Sequence, residues 1–237
     1  MKKQCDFSAF SNLLPADVFH LTLEINKSGG QCVIIGGWLR DRLLSIPISP
    51  IADIDIEVFG LPYDQLHATL LNYKIENCYP KFGIVKLRHM DFSLPRTEIF
   101  IGKKYNDFLI TLNPNLTFEQ AARRRDFSVN AIGWNPLTNK IFDPFNGISA
   151  VQKKQLNPIT EHFKEDSYRV LRAVQFIAKY NFSPSSLLIG YAKDMNPKFI
   201  SKTHIHKTRE ILHTAKHKKA AIHFLELIGD GWKNLLL

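Results

Sequence analysis

Two aspartates at alternate positions, Asp53 and Asp55 in ADIDIEVFG, follow the glycine pair Gly36-Gly37 of IIGGWLRDRLL, with Asp53 sixteen positions after Gly37. On a strand, successive side chains alternate faces, so the two carboxylates point the same way while Ile54 and Ile56 point into a core. Carboxylates held side by side repel one another unless a cation sits between them. An all-oxygen site suits Mg²⁺, which keeps waters and takes substrate phosphates as ligands. A glycine pair just upstream lets backbone N–H groups approach a phosphate. Singly, each motif is more often a turn; together they point to metal-dependent nucleotidyl transfer.

The composition sets bounds on that reading. At 237 residues the chain makes one large domain or two small ones. Its 45% hydrophobic content and 17 phenylalanines can fill a core, which excludes global disorder. The 31 Lys and Arg exceed the 22 Asp and Glu, favouring a polyanionic partner. Cys5, Cys32 and Cys78 form no CxxC pair and no even disulfide set, so reduced thiols and a cytoplasmic location are expected. MKKQCDFSAF lacks the apolar stretch of a signal peptide, and no apolar run reaches membrane-spanning length.

Elements able to position these residues follow from periodicity. Val18, Leu21, Leu23 and Ile25 predict a helix over about 16–27, stopped by Gly29-Gly30. QCVIIGG reads as a short buried strand, WLRDRLL as a helix starting at the glycine turn, and DIDIEVF as a second strand. Leu66, Leu70 and Leu71 mark an amphipathic helix over about 63–73, and GIVKLRHMDFSLP one or two more strands ended by Pro95. Residues 102–114 read as a mobile loop, and Phe118 onward as helix. IFDPFNG is a strand-to-turn exit, after which the pattern turns helical, interrupted near Pro184 and Pro197.

Three segments in order, IIGGWLRDRLL…DIDIEVFG, EQAARRRDFSVNAIGWNP…IFDPFNGI and EDSYRVLRAVQFIAKYNF, resemble the class II tRNA nucleotidyltransferase (CCA-adding enzyme) and bacterial poly(A) polymerase family. The likeness runs from about Leu14 to Phe182. It implies an α+β fold: a nucleotidyltransferase head over 1–150, with a small mixed β-sheet and flanking helices, then an all-α neck and truncated body over 151–237. It also implies that Asp53 and Asp55 hold catalytic Mg²⁺. A third carboxylate is expected on a neighbouring strand; Asp91, between Met90 and Phe92, fits better than Glu98 of PRTE. Gly36 and Gly37 would cradle a triphosphate with Arg40 as charge partner. RRRDFSVNA resembles the family's sugar- and phosphate-contacting motif, which makes Arg125 nucleotide-binding. Asp126 and Asn130, four apart, are expected on one helical face, orienting Arg125 or the ribose. Arg123 and Arg124 read as a solvated or RNA-facing patch.

EDSYRVLRA carries the selectivity. Asp166, Arg169 and Arg172 recur every three residues, as on one helical face. A carboxylate accepts and a guanidinium donates. The pairing edges of cytosine and adenine offer an amino donor beside a ring-nitrogen acceptor; uracil and guanine offer the reverse. Such an Asp/Arg set accepts CTP and ATP and rejects UTP and GTP by leaving buried polar groups unpaired. The resemblance therefore implies template-independent addition of C and/or A to an RNA 3′ end, most of all CCA on tRNA. Poly(A) polymerase, or a catalytically impaired RNA-binding relative, are the alternatives.

Some positions depart from the family pattern. The connection from Gly37 to Asp53 is longer, Ser45 stands where glycine is common, and Trp38 replaces a small residue and is expected to pack outward. Gln175 replaces a frequent arginine, and Ala150 an acidic residue. The chain ends at GDGWKNLLL, before the body and tail of many bacterial relatives. Grip on RNA is then expected from Lys193, Lys198, Lys202, His204, His206, Lys207, Arg209, His213, Lys216, His217 and Lys218. The apolar run AAIHFLELIGDGWKNLLL offers a docking face for a homo-oligomer.

Overall fold

The computed structural model describes residues 7–47, 49, 52–102, 107–197 and 200–237. Cys5 and Lys198 lie outside these residues, as do parts of the Gly37–Asp53 connection and of the stretch after Gly102. Packing divides the chain into two units, one of residues 1–99, 110–122 and 130–148, the other of 100–109, 123–129 and 149–237.

The first unit starts with α1 (Ser8–Ser11) and α2 (Ala16–Lys27), whose Val18, Leu21 and Ile25 are buried at helical spacing. Then come β1 (Gln31–Ile35), α3 (Gly36–Leu43), β2 (Ile54–Phe59) and α4 (Tyr63–Leu70). β3 (Asn77–Tyr79), β4 (Ile84–Leu87) and β5 (Met90–Ser93) follow, with β6 (Arg96–Phe100) and β7 (Phe108–Leu112) next in the chain. α5 (Phe118–Ala122), β8 (Gly133–Asn135) and β9 (Lys140–Phe142) close the series, and α6 (Gly147–Gln152), next in the chain, has most of its residues in the second unit. Seven strands form one mixed sheet in the order β3-β4-β5-β2-β1-β8-β9. β2 runs parallel to β5 and antiparallel to β1, so the Asp-x-Asp strand lies in the middle of the sheet. Alternation holds there as expected: Ile54, Ile56 and Val58 are fully buried, while α2 packs on β1 and α3 on β2.

In the second unit β10 (Gln155–Leu156) leads to α7 (Tyr168–Tyr180), then β11 (Ser183–Pro184), α8 (Ser186–Asp194), α9 (Lys202–Thr214), α10 (Lys218–Ile228) and α11 (Asp230–Leu236). α7 is the central helix, packed by α9 and α10 and buried from Val170 through Ala178 at most positions. Ser185 and Ser201 cap α8 and α9, accepting from the amides of Leu188 and His204. The Phe127 ring lies tilted against Phe163 at 5.6 Å and Phe176 at 5.4 Å. That aromatic anchor explains why residues 123–129 pack with the helices.

Several expectations are corrected. Residues 108–112 of the expected loop are strand β7, in which half-buried Phe108, Ile110 and Leu112 alternate with exposed Leu109 and Thr111 at the period of a strand. The helical region contains a two-stranded parallel sheet, β10 with β11. The helix from Phe118 ends at Ala122, so Asp126 and Asn130 share no helical face. Asp126 belongs to the second unit and Asn130 to the first. Of the apolar run at the C-terminus, Ala221, Phe224, Leu225, Ile228, Trp232 and Leu236 are buried, while Leu227 and Leu237 are exposed. Trp232 Nε1 donates to the carbonyls of Ala192 and Met195, at 3.0 and 3.2 Å. Among the described residues, no helix is long and apolar enough to cross a membrane.

Candidate functional site

In the first unit, strand register builds a row of charges. Asp55 on β2 lies opposite Asp91 on the parallel β5. Asp91 in turn lies opposite Lys86 on the antiparallel β4. Cross-strand partners share a sheet face, so Lys86, Asp91 and Asp55 line up across three strands. Asp53, two residues before Asp55, is on the same side and exposed. Lys86 Nζ donates to Asp91 Oδ2. That hydrogen bond raises the ammonium's pKa above its ordinary value, against partial burial, and the negative charges of Asp91 and Asp53 add to the rise. Glu57 continues the face and is fully buried. Glu98 is instead held by Arg96, Nε to Oε1 at 2.8 Å.

The glycine turn meets this row. Gly36 opens α3 with φ +72°, where only glycine is unstrained, and a Cβ there would lie 2.6 Å from Asp55 Oδ2. Backbone at Gly36 therefore sits directly against the β2 carboxylate. At the other end of α3, Ser45 has φ +56°, which is the conformation that explains glycine's usual place there.

Arg40 is 7% exposed and fully engaged in a bracket. Nε donates to Asp41 Oδ1 at 2.8 Å, and Nη1 donates to Asn130 Oδ1 at 2.8 Å. The guanidinium thus ties α3 to Asn130. Trp38 packs inward, contrary to expectation: its ring stacks on Trp134 at 6.4 Å, with Phe10 edge-on to both. The extra size displaces nothing because Trp134 and Phe10 form its slot.

The fit to a metal ion is set by donor chemistry. Asp53 and Asp55 offer only carboxylate oxygens, the ligand type of hard cations. Among the described residues, no group of three or more His, Cys, Asp or Glu side chains is placed to hold a metal ion alone. A two-carboxylate site fits a cation such as Mg²⁺, whose remaining ligands are water and phosphate.

In the second unit, Asp166 is not on α7 but two residues before it, with extended backbone. Its Oδ1 accepts from the amide of Tyr168 at 2.9 Å, an Asx-type start for the helix. Burial raises its pKa above the ordinary carboxylate value, opposed by that amide and by Arg169, His204 and Arg172. Arg169 is 7% exposed; Nη1 and Nη2 donate to the carbonyls of His162 and Arg124, each at 2.7 Å. Arg172 Nε donates to Asp126 Oδ2, and the Asp126 charge pushes the guanidinium's pKa further up. Asp126 also accepts from the amide of Phe127 at 2.8 Å. Arg125 is half-buried in the same segment, beside exposed Arg123. Arg169 and Arg172 therefore pin the RRRD segment to α7 through one carbonyl and one carboxylate. Gln175 bonds Thr208 on α9 at 2.8 Å, so its neutral side chain matches a buried hydroxyl.

Two residues of the row, Glu57 and Lys86, and the stacking of His204 are not among the sequence expectations. Glu57 carried a signal, continuing the alternation of Asp53 and Asp55. Lys86 carried a weaker one, a charge between buried Val85 and Leu87. His204, stacked on Tyr168 at 4.0 Å, was seen only as one of many basic residues.

Residues 32–157 match the family model described as the Poly A polymerase head domain. The Multifunctional CCA protein of Xylella fastidiosa (strain M12) is 34% identical over 160 residues, covering 65% of this chain and 37% of that protein. The chain thus spans little more than a third of that relative's length. The Bacillus stearothermophilus CCA-adding enzyme in complex with CTP superposes with a TM-score of 0.71 at 23% identity, over 91% of this chain and 52% of that one. The Thermotoga maritima CCA-adding enzyme complexed with tRNA(CCA) superposes with a TM-score of 0.66 at 18% identity, over 91% and 52%.

Proposed function

The chain belongs to the Poly A polymerase head domain family, and on that premise we propose that it adds C and A ribonucleotides to an RNA 3′ end without a template, building CCA on tRNA from CTP and ATP. The observation that carries the reading is the close approach of the Gly36 backbone to Asp55, which sets a phosphate-binding turn against a cation-binding carboxylate. Relatives named as CCA proteins support the substrate class.

Each residue has a part. Asp53 and Asp55 hold the metal, and Asp91 on the neighbouring strand assists. Bound Mg²⁺ would activate the attacking 3′-hydroxyl and steady the departing pyrophosphate. Gly36 and Gly37 offer backbone N–H groups to the triphosphate, with Arg40 and Asn130 fixing the turn that presents them. Arg125 and Asp126 serve the sugar and phosphates. Asp166, Arg169 and Arg172 read the base. A guanidinium has five N–H donors, so Arg169 and Arg172 keep donors to offer beyond those already bonded. Held by fixed partners, they need little reordering on binding, which favours discrimination. The first unit is then the catalytic head and the second the selecting neck. Exposed Lys202, Lys207, Lys216 and Lys218 serve the RNA backbone. Cys32 and Cys78 are free thiols, in keeping with a cytoplasmic location.

Incubation of labelled tRNA lacking its 3′ CCA with Mg²⁺, CTP and ATP tests the reading. Extension by three nucleotides, lost in Asp53→Asn, is the expected result; no extension by the wild-type chain sinks it. The matched family's description favours one rival, poly(A) addition. A long A tract made from ATP alone would establish that rival.

A further inference from the structure

Lys86 has no part in the scheme above, yet it touches the carboxylate row. Its neighbours Val85 and Leu87 are buried, so alternation places Lys86 on the polar face with Asp91 and Asp55. Lys86 Nζ occupies Asp91 Oδ2. The side chains are 37% and 30% exposed, so the pair is reachable by solvent and by a nucleotide. Without Lys86 the row would carry three carboxylates, Asp53, Asp55 and Asp91; with it, one carboxylate is neutralised.

We propose that Lys86 is a built-in counter-ion that withholds Asp91 from the metal until the triphosphate arrives, so that free divalent cation binds weakly and enters together with the triphosphate. The inference rests on the metal-binding reading of Asp53 and Asp55. An oxygen bonded to an ammonium is a poor ligand for a second cation, and the positive charge seated on the row opposes any arriving one. A triphosphate supplies its own oxygen ligands and its own negative charge, and is a partner to which a lysine on a flexible stem can turn. Lys86 is in this sense a positioning residue: it acts through Asp91.

Mn²⁺ affinity, measured on the full chain by the electron paramagnetic resonance of free Mn²⁺ with and without CTP, tests this. Wild type should bind Mn²⁺ weakly alone and, once the Mn²⁺ held by CTP without protein is subtracted, at least about tenfold more tightly with CTP. Lys86→Met should bind Mn²⁺ alone at least about tenfold more tightly than wild type, while Lys86→Arg behaves as wild type. Adding Asp91→Asn to Lys86→Met should erase the gain, as coupled neighbours require. Lys86→Gln makes the same comparison if Lys86→Met does not fold. Equal Mn²⁺ affinity in wild type and Lys86→Met, with binding abolished by Asp53→Asn, overturns the counter-ion role and spares the metal site. Absence of Mn²⁺ binding in every form, with CTP no more than CTP alone holds, overturns both.

Discussion

Arg40 Nη1 donates to Asn130 Oδ1 at 2.8 Å across ninety residues of chain. The bond joins the glycine-turn helix to the tail of the RRRDFSVNA motif. A buried guanidinium thereby fixes Asn130 against α3. Removing either end leaves a polar group without its partner in a place that water reaches poorly.

Asn130→Ala should therefore cost stability by about 1–3 kcal/mol, the penalty for stranding a buried donor. Urea denaturation should show a lower midpoint with an unchanged slope. A loss below about 0.5 kcal/mol would mean that water replaces the amide and that the bracket is dispensable.

Gly36→Ala meets two obstacles, the φ of +72° and a Cβ placed 2.6 Å from Asp55 Oδ2. The backbone strain alone is worth about 1 kcal/mol or more. Asp55 must also shift, and nucleotide incorporation should fall at least about tenfold, since small displacements at a reacting centre are costly. Gly190→Ala on α8 is the control: nothing lies within 4 Å of its Cβ. It should raise stability by up to about 1 kcal/mol through helix propensity and leave incorporation alone. Equal behaviour of the two variants in the incorporation assay would remove Gly36 from the site.

How much of this was legible follows from the range of each interaction. α2, β1 and β2 show in the sequence because Val18/Leu21/Ile25 and Ile54/Ile56/Val58 repeat at the periods of helix and strand. The Asp53–Asp55 pair is legible for the same reason. Asp126 and Asn130 mislead because a four-residue spacing suits a helix, whereas Phe127 is drawn to Phe163 and Phe176 and breaks it. Asp166 is misread on α7 because a carboxylate before a helix and one inside it have the same spacing to Arg169. The direction of Trp38 depends on Trp134, ninety-six residues on. Lys86 meets Asp91 only once the β4–β5 register exists.

Asp166 should leave a mark on the pH dependence of stability. Its folded-state pKa is raised, by burial, above the ordinary 3.8. The folded state therefore binds its proton more tightly than the unfolded state. The stabilising contribution is fully present below pH 3.8 and is lost as pH rises through the raised folded value. Asp166→Asn keeps an acceptor for the Tyr168 amide and abolishes the titration, so the difference in stability between variant and wild type should grow in the variant's favour across that window. The same variant gains an amide donor where a carboxylate only accepted. UTP and GTP should then gain incorporation relative to CTP and ATP. A flat stability difference with unchanged base preference would make Asp166 a helix start and nothing more.

The basic face of α9 and its surroundings separates contacts with solvent from contacts with the fold. Lys202, Lys207, Lys216 and Lys218 are exposed, which leaves them available to phosphates. Arg209, in their midst, donates through Nη2 and Nε to the carbonyl of Leu235, at 2.7 and 3.1 Å. Replacing the four lysines by glutamine should weaken RNA binding and flatten its dependence on salt, by roughly 0.7–0.9 in log–log slope for each phosphate contact removed. Stability should barely change. Arg209→Gln should do the reverse, loosening α11 from α9 while the salt slope keeps its value. Measured by fluorescence anisotropy over a salt series, a four-lysine variant with the wild-type slope would show that RNA does not track this face.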